Sequence, residues 1–206
     1  MLTKPTGRSP QARRFYIVNP DFRRTSSPGF RIENEKTLKQ GMLTLGPATG
    51  CRGFPNFPEI PRIVIDRKLG LPPRDLEEYS AYWLISDRLK TVLEAVDLEA
   101  FDFARCDVRI AGSGVGPVYW LCDVVRVIDA VDEAASKVTI RYYEGDYKTY
   151  SLAGGASLVL REDVVGPAHI FRMAHLEPTV ICDQIVRDAC KTANLKGITF
   201  RDATNY

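Results

Sequence analysis

The sequence predicts an α+β fold: a mostly antiparallel or mixed sheet with two principal helices packed on it. Three observations predict it. Short β-rich runs bounded by Gly, Pro, Asn or Asp recur along the chain. Only two stretches carry helical apolar spacing with a start signal, near 87–97 and 183–193. Those two stretches also echo each other. Ile85-Ser-Asp-Arg-Leu89 and Asp97-Leu-Glu-Ala-Phe-Asp-Phe103 align, with one residue of slippage, with Ile181-Cys-Asp-Gln-Ile185 and Asn194-Leu-Lys-Gly-Ile-Thr-Phe200. Each copy reads as an extended run, a capped helix of about three turns, a tight turn and a strand. Two copies are too few for a solenoid; they suggest two pseudo-repeated helix–strand units.

Taken in order, residues 1–13 are rich in Pro, Gly, Ser, Lys and Arg and read as a disordered leader. Residues 14–206 then read as one α+β domain, with an irregular strand- and loop-rich part, 14–78, and a main helix–sheet body, 79–206. Arg14 to Val18 is β-rich and ends at the turn signal Asn19-Pro20. Proline and glycine punctuate 21–60, which predicts short strands between loops. Arg62 to Asp66 is a strand candidate, and Leu71-Pro72-Pro73 a stiff connector. Trp83 to Ile85 is extended. Ser86 is an N-cap, and Asp87 complements the dipole of a helix of roughly eleven residues, about 16 Å long. Its apolar stripe is Leu89, Val92, Leu93 and Val96.

Beyond that helix, Phe101 to Ile110 alternates as a strand. Gly112 to Pro117 is a hairpin loop. Val118 to Ile128, apolar on both faces, predicts a central strand. Strands near 137–143, 147–152 and 157–160 predict a meander with turns at Gly145-Asp146 and Gly154-Gly155. His169 to Met173 is a strand. The helix from about Asp183 to Ala193 ends near Gly197, and Ile198 to Arg201 is a last strand.

With 206 residues, 45% apolar and 26% charged, the chain is ordinary for a globular protein and long enough to bury a core without staples. No run of eighteen apolar residues occurs, and no apolar stretch follows the basic start as in a signal sequence, so the expected location is the cytoplasm. Five cysteines, an odd number without a CxxC pair, predict free and mostly buried thiols. The net charge of +2 hides an asymmetry. Residues 1–68 hold 13 Lys/Arg against 5 Asp/Glu, and residues 69–206 hold 15 against 21. The acidic remainder argues against nucleic acid as the main partner.

No catalytic constellation, metal site or cofactor motif emerges. There is no GxSxG, HExxH or Walker sequence. Gly112-Ser-Gly-Val-Gly116 leads into Pro117 and a strand, not the helix N-terminus a phosphate cradle needs. His169 and His175, six residues apart, are about 20 Å apart if extended, too far to share a metal unless the chain folds back. His169, on the face of Phe171, reads as a satisfied structural histidine. Cys182, at an expected helix start, reads as a partly buried stand-in for a cap; the alternative is a thiol activated by the helix dipole. Trp83 and Trp120 read as core. Asp123 interrupts an apolar strand, so if buried it needs Arg126, Arg172 or backbone N–H groups. Together with Glu94, Glu99, Asp102 and Asp107 it forms the candidate partner-binding set, an acidic surface that would meet a basic partner.

WLISDRLKTVLE (83–94), FDF (101–103), GPVYWLCDVVRVIDAVD (116–132) and GPAHIFRM (166–173), with FYIVNPDF (15–22) and RDLEEY (74–79), resemble the immunity-protein-eleven family of bacterial polymorphic toxin systems, formerly a domain of unknown function. The resemblance covers roughly 14–203. Cysteine and aspartate in WLCDV depart from the asparagine expected there, and Cys182 stands where a serine cap is usual. The resemblance implies a protein that binds a secreted or contact-delivered toxin in the cytoplasm and occludes it, without catalysis or cofactor of its own. The competing readings are an enzyme of unrecognised class and a nucleic-acid-binding module using the basic N-terminal third.

Overall fold

The computed structural model describes residues 12–23, 27–48, 50–145 and 147–206. The first half contains β1 (Phe15–Pro20), β2 (Phe30–Ile32), α1 (Glu35–Lys39), β3 (Arg62–Ile65), β4 (Leu76–Tyr79), β5 (Tyr82–Ser86), α2 (Asp87–Asp97), a 3₁₀ turn (Leu98–Ala100) and β6 (Phe101–Arg105). The second contains β7 (Asp107–Ile110), β8 (Gly114–Val115), β9 (Tyr119–Val124), β10 (Val127–Ile128), β11 (Thr139–Tyr142), β12 (Lys148–Ser151), α3 (Glu162–Val165), β13 (Ile170–Met173), β14 (Val180–Asp183), α4 (Gln184–Thr192) and β15 (Ile198–Asp202). The fold is mixed α+β. Four helices occur among the described residues, and only α2 and α4 exceed five residues.

Two sheets flank the longer helices, one ordered β4-β5-β9-β6 and the other β10-β13-β14-β1-β15. A third, β2-β3-β7-β8, and the ribbon β11-β12 complete the set. Pairing is antiparallel except at β10–β13 and β3–β7. Three apolar clusters hold the layers. The first lies between the helices and the two helix-bearing sheets, with Tyr16, Val18, Ile85, Leu89, Leu93, Cys122, Val186 and Cys190. The second, around Ile17, Leu158, Phe171 and Ile181, lies on the opposite face of β1 and β14. The third packs Tyr82, Leu84 and Leu121 against Ile63 and Val108 of the third sheet. Alternation along β5 and β9 thus feeds two cores at once.

The two helix-bearing segments share a plan. In each, a strand, a helix and a strand follow one another, and the two strands flank a third strand antiparallel to both: β9 between β5 and β6, β1 between β14 and β15. α2 runs over the predicted residues. Ser86 caps it by accepting the Leu89 N–H at 3.2 Å.

Several expectations fail for definable reasons. β1 runs through Asn19-Pro20 because Val18 is its last residue paired with β14; Pro20 lies beyond, so its missing N–H breaks no ladder bond there. The single strand expected over 101–110 is two strands in different sheets. Cys106 N–H still reaches Tyr119 on β9, whereas Asp107 N–H turns to Pro61, and alternation continues across the switch unmarked. Likewise Val118 to Ile128 divides into β9 and β10, because Val125 N–H bonds Ala100 while Arg126 C=O accepts from Arg172 of β13. Residues 157–160 form only isolated bridges, to Lys137 and Val131. Among the described residues of 21–60 the structure has one three-residue strand and α1, too short for periodicity to reveal. The expected leader falls mostly on residues 1–11, and the Gly145-Asp146 turn partly on Asp146, all outside the described residues. Arg13, however, is held: its guanidinium reaches Asp183 and the Gly166 and Ala168 carbonyls.

Candidate functional site

Cys106, Cys122, Cys182 and Cys190 are buried and free, and only Cys51 is exposed. Burial pushes the Cys106 and Cys190 thiols up to about 12 and those of Cys122 and Cys182 well above the ordinary value, so none of the four is a ready thiolate. Cys182 is not at the helix start. It is fully buried in β14, and the cap is Asp183, one residue later. The extra strand residue explains the slippage in the sequence echo. Among the described residues no group of three or more His, Cys, Asp or Glu is placed to hold a metal ion.

Asp123 is fully buried and lies opposite Asp102 in the β6–β9 pair, two carboxylates facing across adjacent strands. Like charges so placed need cations and donors. Asp123 Oδ1 receives Arg52 and, at 2.9 Å, Arg172. Its Oδ2 accepts the Gly53 N–H at 2.7 Å, and Asp102 Oδ2 accepts the Phe54 N–H at 3.1 Å. Gly53 is required here. Its φ is +83°, and a Cβ would lie 2.8 Å from the Asp102 carboxylate. Arg172 completes its valences on the Val124 and Glu177 carbonyls, at 2.8 and 2.9 Å. Burial lowers its pKa from the usual value despite Asp123. A cleft of about 360 Å³, lined in part by Trp83, Arg52, Arg172 and Glu177, opens beside this centre. The arrangement fixes the 52–54 chain to the sheet; it orients no nucleophile.

Three other carboxylates stitch elements together. Asp183 Oδ1 caps α4 through the Ile185 and Val186 N–H groups, while Oδ2 holds Arg13 and His169 Nδ1, the latter at 2.7 Å. His169 is therefore a satisfied partner of a buried carboxylate. Asp97, at the end of α2, takes Arg126 at 2.5 Å and the His169 N–H at 2.8 Å. Asp75 accepts the Ser86 hydroxyl and the Lys196 N–H, joining the start of α2 to the turn before β15. Of the cations foreseen for Asp123, Arg172 serves it and Arg126 serves Asp97. Arg52, Asp97, Asp75 and Asp183 were not singled out in the sequence. An aspartate just before a helical stretch is a usable signal for Asp183; loop-borne Arg52 left none.

The candidate acidic set is dispersed. Glu94 is half-exposed on α2 and paired with Lys90 at 2.5 Å. Glu99 is open to solvent in the 3₁₀ turn, 92% exposed. Asp107 is exposed on β7 in a different sheet. Asp102 and Asp123 belong to the inward centre just described. Trp83 is buried; Trp120 is half-buried, with its indole N–H on Asp87 and the Lys90 ammonium over its ring. No helix among the described residues is long and apolar enough to cross a membrane.

A family model described as Immunity protein family (Imm11) matches residues 14–205. No curated protein matches the chain.

Proposed function

Because the chain belongs to the Immunity protein family (Imm11), we propose that it binds a cognate bacterial toxin of a polymorphic toxin system in the cytoplasm of the producing cell. It occludes the toxin without catalysis of its own. The observation that carries this reading is the extent of the family match, 14–205 of 206 residues. The interior chemistry supports it. The buried carboxylates are spent on guanidinium groups, helix caps and backbone N–H groups, and the buried thiols are protonated.

The match also supports reading 14–206 as one unit, and the shared plan of the two helix-bearing segments supports a pseudo-repeat. On this reading Glu94, Glu99 and Asp107 provide acidic surface that speeds encounter with a basic toxin. Asp102 and Asp123 support that surface from inside. Co-expression with the toxin encoded beside this gene tests the proposal. Growth is expected to be rescued and the two proteins to copurify. Rescue without a complex, or no rescue by the intact chain, overturns it.

A further inference from the structure

The two helix-bearing units end in strands β6 and β15, each hydrogen-bonded to a strand on one side only among the described residues. In β15 the outward groups can be assigned. Asp21 N–H bonds Gly197 C=O, and Ala203 N–H bonds Phe15 C=O. Those two bonds fix the odd residues of β15 as the ones facing β1 in the observed register. The backbone N–H groups of Ile198, Phe200 and Asp202, and the carbonyls of Ile198 and Phe200, therefore point away from the sheet. No backbone bond within the described chain takes them up; only the Asp202 carbonyl is occupied, by Asn205 N–H.

A cleft lies on each face of this edge. The one on the α4 face, about 290 Å³, is lined by Leu195, Ile198 and Phe200 with Lys191 at its rim. The one on the opposite face, about 590 Å³, is bordered by Phe22, Thr199, Arg201 and Tyr206. Arg23 borders both. An unpaired edge with a recess on either side is the geometry of strand addition: main-chain bonds supply attraction, and recesses take alternate side chains.

Charge selects the occupant. Arg23, Lys191 and Arg201 line the two clefts against one carboxylate, Asp21, which Arg23 and Arg74 already hold. Lys191 and Arg201 are exposed. A second copy of this chain added edge to edge would set these cations against their own kind, which disfavours self-pairing. We propose that the outer edge of β15 is a strand-addition site for an extended segment of another protein, with apolar side chains on the α4 face and carboxylates on the opposite face reaching Arg201 and Arg23, while Lys191 adds positive charge at the rim of the α4 cleft. This goes beyond the toxin-binding reading and does not depend on it. A toxin could dock elsewhere with this edge still active, and this edge could fail with toxin binding intact.

The test uses the full chain with two capped peptides, one alternating valine with glutamate, the other valine with lysine. Amide hydrogen exchange is read residue by residue. The glutamate peptide is expected to slow exchange at Ile198, Phe200 and Asp202 by about tenfold or more, and the lysine peptide to leave it unchanged. Phe200→Pro removes one outward N–H without touching a β1 bond and is expected to abolish the protection. The surface pair Lys191→Glu with Arg201→Glu, which leaves the core untouched, is expected to reverse the preference between peptides. Equal protection by both peptides, protection by neither, or protection in the free chain together with a dimer in sedimentation each overturns the proposal.

Discussion

The units β5–α2–β6 and β14–α4–β15 have the same plan but differ at the centre. In the second the flanked strand is β1, whose Phe15 to Val18 run is buried and wholly apolar. In the first it is β9, which carries Asp123 at 0% exposure in an otherwise apolar interior. The cation that answers Asp123 at 2.9 Å, Arg172, comes from β13, in the other unit's sheet. The charged centre therefore serves as a clamp between units, whereas β1 is held by the ladders to β14 and β15 and by apolar packing, with no buried charge of its own. The carboxylates at Asp75 and Asp97 repeat the lesson. Each accepts from a group at one end of α2 or beside it and from another near β15 or β13.

The sharpest way to break this comparison is Asp123→Asn. It removes the carboxylate that Arg52 and Arg172 share, leaving Arg172 without its ion-pair partner and Arg52 with only the exposed Glu177 at 3.7 Å. Removing one partner of a buried ion pair costs about 3–5 kcal/mol. Urea unfolding is expected to lose that much, and a loss under about 1 kcal/mol would mean the clamp carries little. Ile17→Ala, at the centre of β1, supplies the matched apolar deletion at about 2–5 kcal/mol. The aspartate change should also loosen the contact between units, read as faster amide exchange in β13, and the isoleucine change should not.

The helix caps separate the units next. Ser86 gives α2 one cap bond and passes its hydroxyl to Asp75. Asp183 gives α4 two bonds from one oxygen and holds Arg13 and His169 with the other. Ser86→Ala is expected to cost about 1 kcal/mol. Asp183→Ala is expected to cost about 2–3 kcal/mol, because it also orphans a guanidinium. Equal costs in thermal melts would show that Arg13 and His169 contribute nothing at that site.

The sequence carried these units unevenly, and the reason is visible in the same residues. Periodicity and a serine cap placed the start and approximate length of α2, since those signals are local. The strand–helix–strand order around α2 and around α4 was legible too. The sheet changes at Cys106 and at Val125 were not, because alternation runs straight through the first and a run apolar on both faces through the second, and only the partners of the backbone groups differ. The candidate acidic set spreads over several elements for a related reason. Neighbours along 94–107 are dealt to a helix, a turn and two sheets. The burial of Asp123 was legible as a carboxylate in an apolar run. Arg52, 71 residues away in a stretch without periodicity, was not.

Acid sharpens the comparison at Asp97. Burial alone would raise its pKa, but the Arg126 guanidinium and the His169 N–H outweigh it and hold the carboxyl below the ordinary value. A folded-state pKa below the unfolded one means that the contribution is present above the unfolded value, about 3.9. It is lost as pH falls through the folded one. Stability between pH 5 and pH 3 is therefore expected to fall more steeply in the parent than in Asp97→Asn. Identical slopes would detach the end of α2 from β13 energetically.

The smallest effect is chemical. Both units bury cysteines, Cys122 in the first and Cys182 and Cys190 in the second, and Cys106 lies where β6 gives way to β7. Their thiols are out of water and shifted upward, whereas Cys51 is exposed next to Arg52. A thiol-specific reagent at pH 8 should modify Cys51 within minutes and the other four only as the chain opens. Because opening exposes units separately or together, the order of slow labelling reports their coupling. Simultaneous labelling of Cys122 and Cys182 means that the Asp123–Arg172 clamp makes one cooperative body. Earlier labelling of Cys182 means that the apolar-centred unit opens alone, and Asp123→Asn should convert the first pattern into the second.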